Sequence, residues 1–327
     1  MRRKVIFRAD AGKNVGYGHF FRSLALAGYL KDDYECCFAS YNHDLGQLSE
    51  FQIEEIEKVA SPLLIAGSCL EDFDKGFADA SARFDIAVLD NYYFSTQYLQ
   101  EIKSRGCKLV CIDDMHGRHL PCDLLITPSP LRREDFSLEP GAMFAGGIEW
   151  AFLREPFLRP QKIREHSPIE RVVIAMGGAD PLHLTDKMAE MVRGLLPDAT
   201  IAIIAGETVR LSDATGRDAE IFRNISAEKI ADIFDEADLG IFPASTVCIE
   251  AISRGLPAAA GYFADNQAGL YEYGATHRYF IPLGNLIDPV ADIAARLKRG
   301  IGKIPLYTPA VDFGEQKRKF IKLFEDL

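Results

Sequence analysis

Short apolar segments alternate with helix-like segments along the whole chain, and this rhythm limits the possible folds more than any other feature. Each apolar segment is bounded by turn residues, which is typical of parallel strands covered by helices on both faces. In the first half, strands are predicted at 5–11, 34–40, 62–67, 84–90, 107–114 and 122–130, and helices at 19–31, 45–60, 70–83 and 95–106. The sequence therefore predicts an α/β protein with a doubly wound sheet.

The stretch 153–170 is rich in proline and charge and interrupts this rhythm as a linker does. Beyond it, strands are predicted at 171–178, 199–206, 238–244 and 256–263, and helices at 185–196, 226–236, from 245, 265–274, 286–300 and 314–325. At about 150 residues per domain, 327 residues correspond to about two domains. We therefore predict two facing Rossmann-like domains, 1–157 and 158–327. The active site is expected in the cleft between them, and the last helix is expected to pack back toward the first domain.

The composition excludes several classes of protein. Lys and Arg total 37 against 48 Asp and Glu, so the formal net charge is -11, which argues against a nucleic-acid or membrane-surface binder. No apolar run approaches the 18 residues or so of a membrane span, and no membrane insertion is expected. The seven cysteines follow neither a disulfide-scaffold nor a zinc spacing, which predicts reduced core thiols in the cytoplasm. The sequence sets no oligomeric state, and a monomer is compatible with it.

The segment RADAGKNVGYGHFFRSLALA (8–27) is the first candidate site. It combines a strand end, a glycine-rich loop and an amphipathic helix, whose free N–H groups favour an anion. It is not a dinucleotide fingerprint, because Phe21 stands where the third glycine belongs, and it is not a Walker A loop.

His19 stands at the mouth of this predicted helix. The positive end of a helix disfavours the imidazolium ion, so the ring is expected to stay neutral. A neutral imidazole that faces a cleft can act as a general base near pH 7. The alternative is a structural histidine that only packs against the turn.

Two segments of the second half are candidate nucleotide contacts. Gly177 and Gly178 form a turn between a predicted strand and a helix, as at many phosphate sites, or are simply a tight connection. Ser245 and Thr246 can cap a helix and offer hydroxyls to a diphosphate. Glu250, about one turn further on, can accept both hydroxyls of a ribose or can be a solvated surface residue.

Polar residues also follow several predicted strands, and ligands of doubly wound sheets bind at the carboxyl ends of the strands. The acidic residues at such ends are Asp10, Asp90, Asp113 and Asp114. Two of them form a cluster with His116, His119 and Cys122, but the spacing fits no standard zinc site, and we predict no metal. Asn266 and Gln267 open a later helix and either reach the cleft or are ordinary first-turn residues.

Taken together, these segments resemble the UDP-sugar hydrolases of pseudaminic acid biosynthesis (PseG), relatives of MurG-type glycosyltransferases with the GT-B fold. The resemblance covers nearly the whole chain in one order. Beside 8–27, it rests on VLDNYYFSTQYLQEIKSRGCKLVCIDD (88–114), CDLLITPSP (122–130), GGIEWAFLREPF (146–157), VVIAMGGADPLHLT (172–185), ASTVCIEAISRGLP (244–257) and FADNQ (263–267). One departure is Tyr17, which is bulky where relatives often carry a smaller residue between the glycines.

The resemblance implies a cytoplasmic enzyme of nonulosonic acid or surface polysaccharide biosynthesis that needs no metal or cofactor. Its substrate would be a UDP-activated amino sugar, UDP-2,4-diacetamido-2,4,6-trideoxy-β-L-altropyranose, cleaved with inversion to UDP and the free sugar. His19 matches the catalytic histidine that activates water, and Tyr92 matches an active-site tyrosine. The residues expected to bind substrate are Asp10, Gly16, Gly18, Arg22, Gly177, Gly178, Ser245, Thr246, Glu250, Asn266 and Gln267.

Three other functions fit the same features. A MurG-like glycosyltransferase would use the same donor with an acceptor hydroxyl in place of water. A hydrolysing 2-epimerase would also release a free sugar. A nucleotide-sugar-binding protein without catalysis would not need the His19 motif.

Overall fold

The computed structural model describes residues 2–12, 17–115, 117–161, 168–177, 180, 182–206, 209–303 and 313–327. The chain divides into two compact units. Unit 1 consists of Met1–Glu155 and Glu315–Leu327, and unit 2 of Pro156–Gly314. The division thus lies two residues before the predicted boundary, and the last helix belongs to unit 1.

Unit 1 is built on parallel strands. They are β1 (Lys4–Arg8), β2 (Glu35–Ala39), β3 (Ser61–Pro62), β4 (Ile86–Leu89), β5 (Lys108–Ile112), β6 (His119–Leu120), β7 (Leu124–Thr127), β8 (Ser137–Leu138) and β9 (Met143–Gly146). Seven of them form one sheet in the order β3-β2-β1-β4-β5-β7-β9, and β6 pairs with β8. The order reverses between β1 and β4, which is the point where doubly wound sheets hold their ligands.

The described part of unit 1 contains five α-helices. They are α1 (Gly18–Leu30), α2 (Glu50–Glu57), α3 (Leu70–Ser81), α4 (Thr96–Ser104) and, at the other end of the chain, α11 (Gln316–Glu325). Local sequence sets where some of them begin. Ser49 and Gln52 form a capping box at α2, and the Ser95 hydroxyl accepts a bond from the Tyr98 N–H at α4.

The helix α11 packs against α1 through aromatic side chains. The ring of Phe320 lies 5.3 Å from the rings of Tyr29, Trp150 and Phe152. The side-chain amide of Gln316 donates to the carbonyl oxygen of Ala151. The buried core of unit 1 therefore contains residues from two distant parts of the sequence.

One predicted strand is wrong in extent. The strand predicted at 62–67 is reduced to Ser61–Pro62, which pairs with Cys37 and Phe38 of β2. Beyond Ala39 the chain turns toward the loop after β1, where Asn42 bridges Ala11, so the edge strand β3 loses its partner. Of the apolar residues that follow, Leu64 is 75% exposed, whereas Leu63 and Ile65 are partly buried against the core of unit 1.

Unit 2 repeats the plan. Its strands are β10 (Arg171–Ile174), β11 (Thr200–Ala205), β12 (Ala219–Arg223), β13 (Leu239–Pro243), β14 (Ala258–Tyr262) and β15 (Ile281–Asn285), all parallel, in the order β12-β11-β10-β13-β14-β15. Its helices are α5 (Leu184–Leu195), α6 (Asp213–Asp218), α7 (Ala227–Glu236), α8 (Thr246–Ser253), α9 (Asp265–Thr276) and α10 (Val290–Ile301). Each unit thus contains a doubly wound sheet, and the predicted fold class is confirmed.

None of the helices in the described part of the chain has the length and apolar character needed to cross a membrane. All seven cysteines are free. Five are buried, but Cys69 is exposed and Cys37 is half-buried, so these two are not the core thiols that were expected.

Candidate active site

Several candidate functional residues of unit 1 meet where its strand order reverses. The loop after β1 leads into α1, which begins at Gly18 and carries His19 in its first turn. Asp90 follows directly after β4, the strand next to β1. The carboxyl ends of these two strands therefore bring His19 and Asp90 together although 71 positions separate them. Gly16 lies outside the described residues.

His19 is hydrogen-bonded to Asp90 in the manner of a general base and its orienting carboxylate. Its Nδ1 lies 2.7 Å from Oδ1 of Asp90. A carboxylate only accepts, so Nδ1 carries the hydrogen, and in the neutral ring Nε2 holds the lone pair. With 9% of its side chain exposed, His19 is held in place and largely buried.

Asp90 is fully buried and serves several donors. Arg22 binds it with two nitrogens, Nε at 2.7 Å from Oδ2 and Nη2 at 2.5 Å from Oδ1, and the Ser23 hydroxyl lies 3.0 Å from Oδ2. Burial opposes ionisation, but the charge of Arg22 and the bonds from Arg22 and His19 outweigh it and hold the pKa of Asp90 below its ordinary value. Nη2 of Arg22 is also 3.0 Å from Nδ1 of His19, and both nitrogens donate to Oδ1.

Arg22 therefore has a different partner from the one expected for a substrate-binding residue. Its guanidinium is occupied by Asp90 and, through Nη1 at 3.3 Å, by Asp114. In this arrangement Arg22 fixes the carboxylate that fixes His19.

Tyr92 covers the ring of His19. The two rings meet edge to face with centroids 4.5 Å apart, and the Arg22 guanidinium lies 5.9 Å from the tyrosine ring. Tyr92 remains 40% exposed. Burial and then the carboxylate of Asp114 raise the pKa of Tyr92, so the group stays a neutral phenol at neutral pH.

Arg118 is a residue that sequence reasoning missed. It donates to the backbone carbonyls of Asn91 and Tyr92 and pairs with the buried carboxylate of Asp113. It thus fastens the turn that carries Asp90 and Tyr92. No periodic or spacing signal marks this arginine, which lies in an irregular loop.

Asp10 lies in a neighbouring network and is fully buried. Its carboxylate accepts bonds from Arg8 (Nη2 3.0 Å from Oδ2), from the Tyr41 N–H at 2.8 Å and from the Tyr93 hydroxyl. No contact among the described residues joins it to His19. Its oxygens serve the protein, which weakens the prediction that they bind substrate.

In unit 2, the turn after β10 is marked by unusual backbone. Gly177 has φ +100°, and Asp180 and His183 have φ of 38° and 52°. The Asp180 carboxylate accepts bonds from the N–H groups of Leu184 (2.8 Å) and Thr185 (2.9 Å), which open α5. A protein carboxylate therefore already occupies the N-terminus of α5, while Gly178 lies outside the described residues.

The neighbouring strand β13 leads into α8, and its start differs from that of α5. Ser245 is the N-cap, in an extended conformation, and its side chain makes no capping bond. Thr246 is exposed, whereas Glu250 is buried within α8 and is not the solvated residue of the alternative prediction. The strand pairing places Ser245 and Gly177 at the same edge of the sheet.

Asn266 lies in the first turn of α9. The Gln267 side chain accepts a bond from the Phe263 N–H at 3.0 Å, so its carbonyl oxygen fixes the chain just before the helix. This supports the simpler of the two roles considered for Gln267.

Comparison with known sequences finds two distant relatives, and no family model matches the chain. The chain is 25% identical over 258 residues to the UDP-2,4-diacetamido-2,4,6-trideoxy-beta-L-altropyranose hydrolase of Campylobacter jejuni, covering 76% of this chain and 88% of that protein. It is 22% identical over 288 residues, 82% of its length, to an uncharacterized protein of Methanocaldococcus jannaschii. The matching region spans 57% of that archaeal protein.

Solved structures share the fold. MurG of Acinetobacter baumannii matches with a TM-score of 0.65 at 13% identity, over 99% of this chain and 100% of MurG. HepE of Anabaena, in complex with UDP-glucose, matches with a TM-score of 0.66 at 11% identity over 100% of both chains. At such identities the likeness shows the fold alone. Together with the Campylobacter relative, it confirms the resemblance drawn from the sequence and the GT-B fold.

Proposed function

We propose that this chain, which has the GT-B fold and a PseG-like sequence, hydrolyses a UDP-2,4-diacetamido-2,4,6-trideoxyhexose to UDP and the free sugar. The observation that carries the proposal is the His19–Asp90 pair at the point where the unit 1 sheet reverses its order. An imidazole with one nitrogen bound to a buried carboxylate is suited to take a proton through the other.

The reaction then proceeds by attack of water on the anomeric carbon. His19 Nε2 accepts one proton of the water as its oxygen forms the new C–O bond. The bond between the anomeric carbon and the diphosphate oxygen breaks, and its electron pair leaves with UDP. Attack opposite the leaving group inverts the anomeric centre. Asp90 stabilises the imidazolium that forms, and Arg22 holds Asp90 in its ionised state.

The nucleotide is assigned to unit 2, at the start of α8. A helix N-terminus binds a diphosphate through free N–H groups and the positive end of the helix dipole. Asp180 places a negative charge at the start of α5, which disfavours an anion there. At α8 the Ser245 side chain makes no capping bond, and Thr246 is exposed beside it. Gly177 follows the neighbouring strand β10 and lies at the same edge of the sheet.

The test is UDP release from a panel of UDP-2,4-diacetamido sugars, with the anomeric configuration of the product followed by NMR. His19→Ala should lower turnover by several orders of magnitude, while UDP affinity measured by calorimetry stays the same because unit 2 is untouched. A folded His19→Ala variant with near-normal turnover would contradict the proposal.

The same experiment separates the rival functions. A MurG-like glycosyltransferase would release UDP at a substantial rate only when an acceptor is added. A hydrolysing 2-epimerase would give a product with altered configuration at C2, and a non-catalytic binder would give no UDP at all. A second variant, Glu250→Ala, should mainly weaken UDP binding. An unchanged nucleotide affinity would exclude Glu250 from the ribose site.

A further inference from the structure

Tyr93 is an exposed aromatic residue that is nevertheless held firmly. It is 41% exposed and follows directly after Tyr92, the residue whose ring lies against His19. Its hydroxyl donates to the buried carboxylate of Asp10. The other partner of that hydroxyl is His43, whose Nε2 lies 3.3 Å away. A side chain that is fixed before binding costs less entropy to order in the complex, which favours a role for Tyr93 in a binding surface.

The anchor reaches deep into unit 1. Arg8 is fully buried and pairs with Asp10 and, at 2.6 Å, with Asp74. Its guanidinium lies within 5.5 Å of the ring centroids of Phe73, Phe77, Phe94 and Tyr98. A buried ion pair is weak evidence for stability, because the desolvation cost offsets the attraction. The Arg8–Asp10 ion pair holds the Asp10 carboxylate in one position, and Asp10 in turn holds the Tyr93 hydroxyl.

His43 is fixed by the loop that leads to His19. The backbone N–H of His43 donates to the Ala11 carbonyl at 2.9 Å. A Cβ added to Gly12 would lie 3.1 Å from the Cβ of His43, so the two segments are in close contact. Since the Tyr93 hydroxyl donates to Asp10, its oxygen accepts from Nε2–H of His43. In the neutral ring, Nδ1 of His43 is then an acceptor on an exposed side chain.

We propose that Tyr93 and His43 determine sugar specificity by binding the acetamido group at C4 of the substrate, an inference that rests on the proposed function. Tyr92 and His19 act at C1, and C4 lies across the pyranose ring from C1. Tyr93 is the next residue along the turn that carries Tyr92, and we assign it to that opposite end of the ring. The Tyr93 ring offers an apolar face to the acetyl methyl group, and Nδ1 of His43 accepts the acetamido N–H.

The experiment compares two substrates, the UDP-2,4-diacetamido sugar and its analogue with a free amine at C4. His43→Ala and Tyr93→Ala should raise KM for the diacetamido substrate about 10- to 100-fold and change kcat little. Values for the 4-amino analogue should change less than about threefold, so discrimination between the two collapses. Tyr93→Phe keeps the ring but loses the bond to Asp10, and we expect an intermediate effect.

The control is His277→Ala, which removes an exposed histidine that also lies against a tyrosine, Tyr273, at a centroid distance of 4.0 Å. It should leave both substrates unaffected. Unchanged discrimination in folded His43→Ala and Tyr93→Ala, with His19→Ala inactive, would overturn this inference and leave the proposed function standing. If the wild-type protein cleaves neither substrate, both are wrong.

Discussion

Asp90→Asn removes one charge and one acceptor oxygen from a buried side chain that serves His19, Arg22 and Ser23. The amide keeps a single acceptor oxygen, and its NH₂ group must face a donor from His19 or Arg22. If it faces Nδ1 of His19, the proton moves to Nε2, which then has no lone pair for water. The analogous change in the Ser-His-Asp triad lowers kcat by about 10⁴. We expect a loss of about 10³ to 10⁴ here, which corresponds to about 4 to 5.5 kcal/mol of barrier.

The same change should also destabilise unit 1, because Arg22 loses its buried counter-charge. Removing one partner of a buried ion pair costs about 3–5 kcal/mol, and the remaining contact of Arg22 with Asp114 at 3.3 Å favours the lower end. The assays are UDP release, thermal unfolding and calorimetry with UDP. A matched control is Asp85→Asn, at the other end of the β4 region, where the carboxylate accepts the Lys4 N–H at 2.7 Å. A folded Asp90→Asn variant that keeps more than about a tenth of kcat would refute the orienting role.

Three further outcomes are expected. The first concerns pH: because the pKa of Asp90 is lowered in the fold, its ionised form stabilises the protein above the unfolded pKa of about 3.9, and this stability is lost as the pH falls through the lowered pKa. Tm should therefore drop more between pH 5 and 3 in the wild type than in Asp90→Asn. Equal drops in Tm would contradict this. In thiol titration of the native protein, Cys69 should react quickly and Cys69→Ser should abolish the fast phase, whereas burial raises the pKa of Cys36 to about 12 and keeps it unreactive. Gly177→Ala should destabilise the protein by about 1–3 kcal/mol through backbone strain at φ +100° alone, since its Cβ would meet nothing within 4 Å. The control Gly194→Ala, inside α5, should stabilise the protein by about 0.4–1 kcal/mol. Similar effects of both substitutions on thermal unfolding would exclude strain as the cause.

The alternation of strands and helices could be predicted from sequence because each buried parallel strand carries its own apolar signal. The edge strands β9, β12 and β15 were not predicted. Strand β12 has the sequence AEIFR, in which charged and apolar residues are mixed and partly exposed, so it carries no continuous apolar run. The strand predicted at 62–67 is short for a different reason, since its partner strand β2 ends at Ala39 and only Ser61 and Pro62 are in register with it.

At the site, His19 and the position of Asp90 at a strand end could be predicted, but their partnership could not. Their partnership depends on which strands are neighbours in the sheet. Strand β1 pairs with β2, the next strand along the chain, and also with β4, which brings Asp90 to the loop after β1. Arg22 was expected to face substrate because it lies in the first motif, yet its nearest carboxylate comes from 68 positions away. Arg8 and Tyr93 carry no sequence signal, since a buried arginine is visible only when its counter-ions are placed around it.

The helix α11 has a consequence for how the protein is made. Unit 1 needs Phe320 among its aromatic side chains and Gln316 on the Ala151 carbonyl, and both residues lie near the carboxyl end of the chain. A ribosome that has produced the first 155 residues has therefore not yet supplied every segment of unit 1, whereas all of unit 2 is available by residue 314. The second unit in sequence is thus the first that can be completed during synthesis, and the unit that carries His19 is finished last.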